Sequence, residues 1–467
     1  MTVLIKGGTV VNASGPFAAD VLVDGATIAG LASPGSSTAL SWAQSAGSVL
    51  DATGTYVIPG AIDAHTHMEM PFGGTFSVDT FETGTRAAAF GGTTSMIDFA
   101  IQTKGQSLRS GLDTWFAKAE GHCAIDYGFH MIVSDVNTQS LDEMDLLVDE
   151  GVASFKLFMA YPGVFYSTDG EILLAMQRAA SNGSTIMMHA ENGIAIDVLV
   201  AQALARGEGD PRFHASTRPS LLEGEATHRA IQLARVAGAP LYIVHLSARE
   251  ALDEVVGARD RGQNVFAETC PQYLFLSEAD LAREGFEGSK FVCSPPLRDA
   301  SHQIDLWRGL RTDDLSVVST DHCPFCFKEQ KELGVGNFSK IPNGMPGVEH
   351  RLDLIFQGVN MGEISLARWV DVVSTTPARM FGLFPRKGLI APGSDADIVL
   401  YDPNAAHTFS ASTHHMNVDY SAYEGMKVTG KARTVLSRGQ VVIDHDQYVG
   451  TAGSGTFLKR GLNGLLR

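Results

Sequence analysis

The chain has 467 residues, 44% of them apolar and 19% charged, the proportions of a globular protein long enough for one large domain and a smaller one. Its formal net charge of −17 argues against nucleic acid as a partner, because phosphates call for basic patches. No apolar run reaches the length of a membrane span, the opening MTVLIKGGTVVNAS reads as a strand rather than a signal peptide, and the five cysteines do not make a disulfide scaffold, so a cytoplasmic enzyme is expected.

Residues 1–55 are short β-rich pieces, TVLIKGGTVV and ADVLVDGATIAGLAS, with Asp24-Gly25 at a hairpin turn. SPGSSTALSWAQSAGS then reads as a Gly/Ser-rich loop. From Tyr56 onward, short apolar runs at 56–66, 93–99, 125–133, 153–159, 185–188, 241–244, 264–268 and 316–320 alternate with helix-like segments. Those segments include TFETGTRAAAFG, DEMDLLVDEG, ILLAMQRAASNG and ATHRAIQLARVAG, each closing on a glycine as helices do. Eight such repeats predict an α/β (β/α)8 TIM barrel over 56–386. KGLIAPGSDADIVLYDP and ARTVLSRGQVVID return to β character, so 387–447 is expected to join 1–55 in one small β-sandwich domain. The Gly-rich tail 448–467 reads as an extended C-terminal arm and a possible subunit interface. Its Gly-x-x-Gly-x-Gly opens no βα unit and is no phosphate loop.

A barrel of this kind places its active site at the C-terminal ends of the strands. The first run ends in His65 and His67, two residues apart and so on one side of a strand. The fourth carries Lys156 inside an apolar stretch, the fifth ends in His189, the sixth in His245 and the eighth in Asp321. Any one such histidine is ordinarily a hydrogen-bonded rim residue. Four imidazoles and a carboxylate, drawn from four strands, instead converge on one point and supply N and O ligands suited to zinc or manganese. Lys156 is the misfit, since an ammonium has no lone pair. It either pairs with a rim carboxylate or, with its pKa lowered by burial, adds CO2 to become a carbamate able to bridge two metals.

The stretches GAIDAHTHMEMPFGG, SFKLFMAYPG, MMHAENG, YIVHLSA, AETCPQYL, SPPLR, STDHCPF and IPNGMPGVEHRL, with the terminal β segments, resemble the dihydropyrimidinase/D-hydantoinase family of cyclic amidohydrolases over nearly the whole chain. The resemblance implies a binuclear site with His65, His67, Lys156 (as N6-carboxylysine), His189, His245 and Asp321 as ligands to two divalent ions, zinc or manganese. It implies ring opening of dihydropyrimidines such as dihydrouracil, or of 5-substituted hydantoins, to N-carbamoyl amino acids. A hydroxide shared by the two cations would attack the ring carbonyl, with Asp321 as general base and then acid. It further implies that Tyr161 hydrogen-bonds the oxyanion, that the main chain of Ser294 and Asn343 holds the edge of the ring, and that the enzyme is a homotetramer. Taken alone, Tyr161 is a half-buried aromatic beside Pro162, and Ser294 and Asn343 are turn residues beside Pro and Gly. An allantoinase-like enzyme would keep the ligands and change the pocket. A non-catalytic relative would have lost ligands, and none is lost.

Relatives that open carboxylate-bearing rings, such as dihydroorotase, place an arginine shortly after the His-x-His. Here Met68-Glu69-Met70-Pro71-Phe72 follows, which suits an uncharged ring. Met70, Phe72, Phe158 and the loop 161–165 are candidates for the wall of a substituent pocket, or equally for loop packing. The serine of SPPLR leans toward dihydropyrimidinases. Cys323 and Cys326, in CPFC, lack a second pair to complete a zinc site and read as unpaired loop thiols. His322 should point away from its neighbour Asp321 and is excluded as a ligand. His414-His415 reads as surface or interface.

Overall fold

A computed structural model describes residues 2–466. Eight parallel strands pair in chain order: Ala61–Thr66, Thr93–Ile101, Asp126–Ile132, Ser154–Phe158, Thr185–His189, Leu241–Ile243, Val265–Thr269 and Val317–Val318. Every residue of these strands is buried, as expected where side chains face either the barrel axis or a covering helix. The barrel closes between the last strand and the first, where His67 N–H donates to the His322 carbonyl at 2.8 Å and Thr320 N–H donates to Asp63 Oδ1 at 3.2 Å.

The covering helices begin and end where local chemistry requires. Thr80 caps Phe81–Phe90 in a reciprocal capping box, and Thr168 does the same for Asp169–Asn182 through Glu171. Gly183 and Gly238 close their helices in the left-handed conformation.

Each expected apolar run contains a barrel strand, but 56–66 divides. Tyr56–Pro59 pairs antiparallel with Ile398–Thr408 in a separate sheet, and only Ala61–Thr66 enters the barrel. Both halves are apolar, so hydrophobicity alone does not reveal the change of sheet. Gly60 marks it: a Cβ there would stand 2.0 Å from Thr94 Oγ1, so only glycine lets the chain pass.

Two further sheets form the small domain. One has seven strands, from Thr9–Asn12 to Gln447–Tyr448, and the other four, from Thr2–Lys6 to Ser48–Asp51. They enclose Ile5, Val21, Val57, Ile398 and Leu436 in a β-sandwich core separate from the barrel core. The segment read as a Gly/Ser-rich loop contains a helix, Ser37–Ser45. Ser36 caps it by accepting from Ala39 N–H at 3.2 Å, and Trp42 packs against Gly30. Serine thus serves as a helix start where its abundance suggested coil.

Lys387 joins sandwich to barrel. Its ammonium donates to Asp126 at 2.6 Å, Asp397 at 2.5 Å and Asp395 at 3.0 Å. The C-terminal tail lies along its own barrel at the end opposite the functional rim: Thr456 N–H donates to Asp126, Leu458 N–H to Tyr127 and Arg460 N–H to Gly151. Arg460 is buried there, bonded to the Phe129 carbonyl and the Ser154 hydroxyl. Among the described residues no helix is long and apolar enough to cross a membrane.

Candidate active site

The ends of five barrel strands meet at one cluster. His65 Nε2 lies 3.2 Å from His67 Nε2, 2.9 Å from Lys156 Nζ and 3.1 Å from Asp321 Oδ1, and His67 Nε2 lies 3.3 Å from the same Asp321 oxygen. His245 and His189 complete the ring, their centroids 4.5 Å apart, with His245 5.4 Å from His65. Ligand atoms of His65, His245 and Asp321 all fall within 4.8 Å of one another. Tyr161, His245 and Asp321 adopt φ of 60°, 40° and 53°, in the sparsely populated left-handed region.

Around this cluster stands a layer that orients it. Glu268, at the end of the seventh strand, accepts from His65 Nδ1, from the His245 backbone N–H at 3.1 Å and from the Tyr242 hydroxyl at 2.8 Å. Because Nδ1 of His65 gives its proton to Glu268, its Nε2 carries the lone pair toward the cluster. Glu191 holds His189 Nε2 at 2.8 Å. Phe99 packs its ring against His65 and His67 and lies 4.2 Å under the Lys156 nitrogen.

The electrostatics fit a cation. Burial pushes His67 down to about 3, so it stays neutral and keeps its lone pair. Burial works against a charge on Asp321, yet His65, His67 and His245 outweigh it and hold the carboxyl well below its usual range. His65 Nε2 thus has three polar neighbours, and two imidazole nitrogens, those of His65 and His67, face each other at 3.2 Å. Buried His67 Nδ1 and His245 Nδ1 also lack a partner. Electron-pair donors crowded in this way are satisfied by metal ions placed among them. Lys156 is the exception as an ammonium. Burial lowers it to about 8, against the opposing pull of Asp321 and Glu268, which leaves a free amine accessible near neutrality.

Above the cluster opens a pocket. Lys156, His67, His189, His245 and Asp321 form its floor, Ser294 and Asn343 one polar side, and Met70, Phe72, Phe158, Tyr161 and Phe165 the other wall. These aromatics pack on one another, with Phe72–Tyr161 at 5.3 Å and Phe158–Phe165 at 5.0 Å between centroids. They are therefore pocket lining as well as loop packing. Asn343 Nδ2 donates to Ser294 Oγ at 3.1 Å, which joins the two polar segments. No charged group of the cavity stands apart from the cluster itself, so the wall suits an uncharged ring.

His322 turns away as expected, bonded to Asp79 at 2.9 Å and accepting from Gly347 N–H at 3.1 Å. Cys323 and Cys326 are both free, and Cys323 borders the cavity. His415 stacks on Phe90 and bonds Glu349. Sequence reasoning passed over Glu268, Glu191 and Phe99. A carboxylate near the end of the apolar run VFAET, just where the other strands place their cluster residues, was the available signal for Glu268.

A (β/α)8 barrel whose strand ends gather histidines, a lysine and an aspartate beneath a pocket is the framework of a barrel hydrolase. Residues 56–442 match the model of the amidohydrolase family. The chain is 66% identical to the D-hydantoinase of Streptomyces coelicolor, across 98% of this chain and 97% of that protein, and 49% identical to the D-hydantoinase of Geobacillus stearothermophilus across 100% and 98%. Its structure superposes on that of the dihydropyrimidinase from Brevibacillus agri with a TM-score of 0.96 at 50% identity, covering 99% of each chain. The chain belongs to the amidohydrolase family, among the dihydropyrimidinase/D-hydantoinase cyclic amidohydrolases.

Proposed function

We propose that this enzyme opens 5-substituted hydantoins and dihydropyrimidines such as dihydrouracil by hydrolysis to N-carbamoyl amino acids. Both ring classes occur among the names of its relatives. The observation that carries the reading is the convergence of His65, His67, Lys156, His189, His245 and Asp321 under an uncharged, aromatic-walled pocket. These six residues would hold two divalent ions, zinc or manganese, with Lys156 carboxylated by CO2. Such ions act as Lewis acids and lower the pKa of water toward neutrality.

The remaining steps belong to the chain. The main-chain N–H and C=O groups of Ser294 and Asn343 receive the amide edge of the ring. The aromatic wall takes the ring substituent, which favours a 5-aryl hydantoin over dihydrouracil. Asp321, held ionised, accepts a proton from the attacking water and delivers it to the departing ring nitrogen as the C–N bond breaks. The water oxygen becomes the new carboxylate oxygen, one water proton appears on the carbamoyl nitrogen, and the other leaves to solvent as the new acid ionises. Burial raises the pKa of Tyr161, so its phenol keeps its proton and donates to the oxyanion. The family resemblance also supports a homotetramer. The helix Gly193–Ala205 leaves Ile194 and Val198 more than half exposed, an apolar face suited to self-association.

Hydantoin, a 5-aryl hydantoin and dihydrouracil assayed side by side test the reading, together with metal analysis of the wild type and Lys156→Ala. About two metals per chain are expected in the wild type, and loss of metal and activity in the variant. Stoichiometric metal in Lys156→Ala would rule out the carbamate. Absence of turnover on all three rings would move the assignment to an allantoinase-like activity.

A further inference from the structure

Lys331 lies in the charged run Lys328-Glu329-Gln330-Lys331-Glu332 beyond the eighth barrel strand, and it alone of that run is fully buried. Among the described residues no carboxylate pairs with it. Three carbonyls take its three N–H groups: Pro342 at 2.7 Å, Gly344 at 2.8 Å and Val292 at 3.0 Å. Burial without a countercharge lowers its pKa to about 7, and the carbonyl acceptors hold its nitrogen in place. The acceptors are not scattered. Val292 leads into Cys293-Ser294, and Pro342 and Gly344 flank Asn343, so one side-chain nitrogen spans both polar segments of the pocket.

Peptide geometry shows what this fixes. A peptide unit is planar, and its C=O and N–H point in opposite directions. Lys331 holds the Pro342 carbonyl, which turns the N–H of Asn343 the other way. Gly344 N–H donates to the Val292 carbonyl at 3.0 Å, which turns the carbonyl of Asn343 away from that bond as well. Both peptide planes around Asn343 are thus pinned. Among the described residues, the main-chain N–H and C=O groups of Asn343 and Ser294 make no hydrogen bond within the chain. They form an unpaired polar edge beside the pocket.

We propose that Lys331 is a positioning residue for the cyclic substrate: its side-chain nitrogen clamps segments 292–294 and 342–344 together, so that the edge they present is formed before the ring arrives. The proposal rests on the reading that the main chain of Ser294 and Asn343 receives the ring. It adds a residue that touches neither the substrate nor the metal ligands.

Lys331→Met keeps the stem and removes every donor, and Lys331→Gln restores two N–H groups. With hydantoin as the probe, Lys331→Met should raise KM about tenfold while leaving kcat nearly unchanged, because a loosened edge weakens binding before chemistry. Lys331→Gln should fall between it and the wild type, and metal content should match the wild type in both. An unchanged KM in a folded, metal-loaded variant overturns the proposal. So does a loss of kcat and metal with KM intact, which would mark a merely structural role. If Lys331→Met does not fold, Lys331→Gln carries the same test. A wild-type structure with hydantoin bound separates the two layers of the argument. A ring seated on Ser294 and Asn343 with unchanged KM in the variants removes only the clamp, whereas a ring edge seated elsewhere removes the reading beneath it and the proposal too.

Discussion

Glu268 offers the sharpest test of how the metal cluster is built. Three donors converge on its two oxygens: His65 Nδ1 and the His245 N–H on one, and the Tyr242 hydroxyl on the other. Glu268→Gln removes the charge but keeps an acceptor for His65, and the Tyr242 hydroxyl can rotate to accept from the new amide. Glu268→Leu removes both acceptors and strands three donors, with Glu268 and His65 wholly buried. Each stranded donor costs about 1–3 kcal/mol. A carboxylate that orients a ligating imidazole is worth roughly 10–100-fold in metal affinity or activity. We therefore expect Glu268→Gln to lose about tenfold in metal affinity, and Glu268→Leu about a hundredfold with a lowered melting temperature. Titration of metal into apoenzyme against a competing chelator measures the first effect, and hydantoin turnover at saturating metal follows the second. Wild-type metal affinity in folded Glu268→Leu would refute the view that His65 is oriented from the seventh strand.

Two further predictions concern the reaction and the domain junction. Tyr161→Phe should lower kcat about 10²–10³-fold with little change in KM, as expected for a donor that acts on developing charge, and steady-state kinetics on hydantoin reads the split. Lys387→Met leaves Asp126, Asp395 and Asp397 facing one another without their shared cation, and should destabilise the fold by about 3–5 kcal/mol in chemical denaturation at neutral pH. Burial opposes the charge on Lys387, but Asp397, Asp126 and Asp395 outweigh it and raise its pKa. Its contribution is therefore present in full below the ordinary lysine range and is lost only as pH rises through the folded value, so wild type and variant should converge only in strong alkali.

The barrel was legible because its signal is repetitive: an apolar run followed by a helix-like segment, eight times over, several of those segments closing on a glycine. The six residues of the cluster were legible because each stands within or just past such a run, toward its C-terminal end, and the topology then brings them together. What stayed hidden depends on contacts between elements distant in sequence. Glu268 reads as any rim acid until the barrel places it against His65, 203 positions away. Lys331 sits in a stretch that looks solvated, and the segments 292–294 and 342–344 folded over it bury its amine. The split at Gly60 is invisible to hydropathy, since both sheets bury their share of the run. The tail carries Gly and basic residues typical of a free arm, yet Arg460 finds carbonyl and hydroxyl acceptors under the barrel.

The backbone at the cluster adds a constraint that residue identity does not announce. Tyr161, His245 and Asp321 all hold positive φ, a conformation that Asp and His adopt more often than other non-glycine residues and that is least favourable for Tyr161. Each such conformation costs about 1–3 kcal/mol and persists only where the surroundings enforce it. The surroundings here do so: His245 N–H is held by Glu268, and the strand pairing that closes the barrel brackets Asp321, with Thr320 N–H on Asp63 and His322 bridging to Thr66. A strand continued in extended geometry would send successive side chains alternately to the axis and to the helices. A left-handed residue at the strand's end breaks that alternation and turns the side chain over the barrel mouth. Glycine at 245 or 321 would relieve the strain and remove the functional group with it. The same three positions that are unfavourable for the backbone are thus those where a side chain must leave the strand to reach the pocket, which places the strain at the site of the chemistry and its enforcement in Glu268 and the barrel seam.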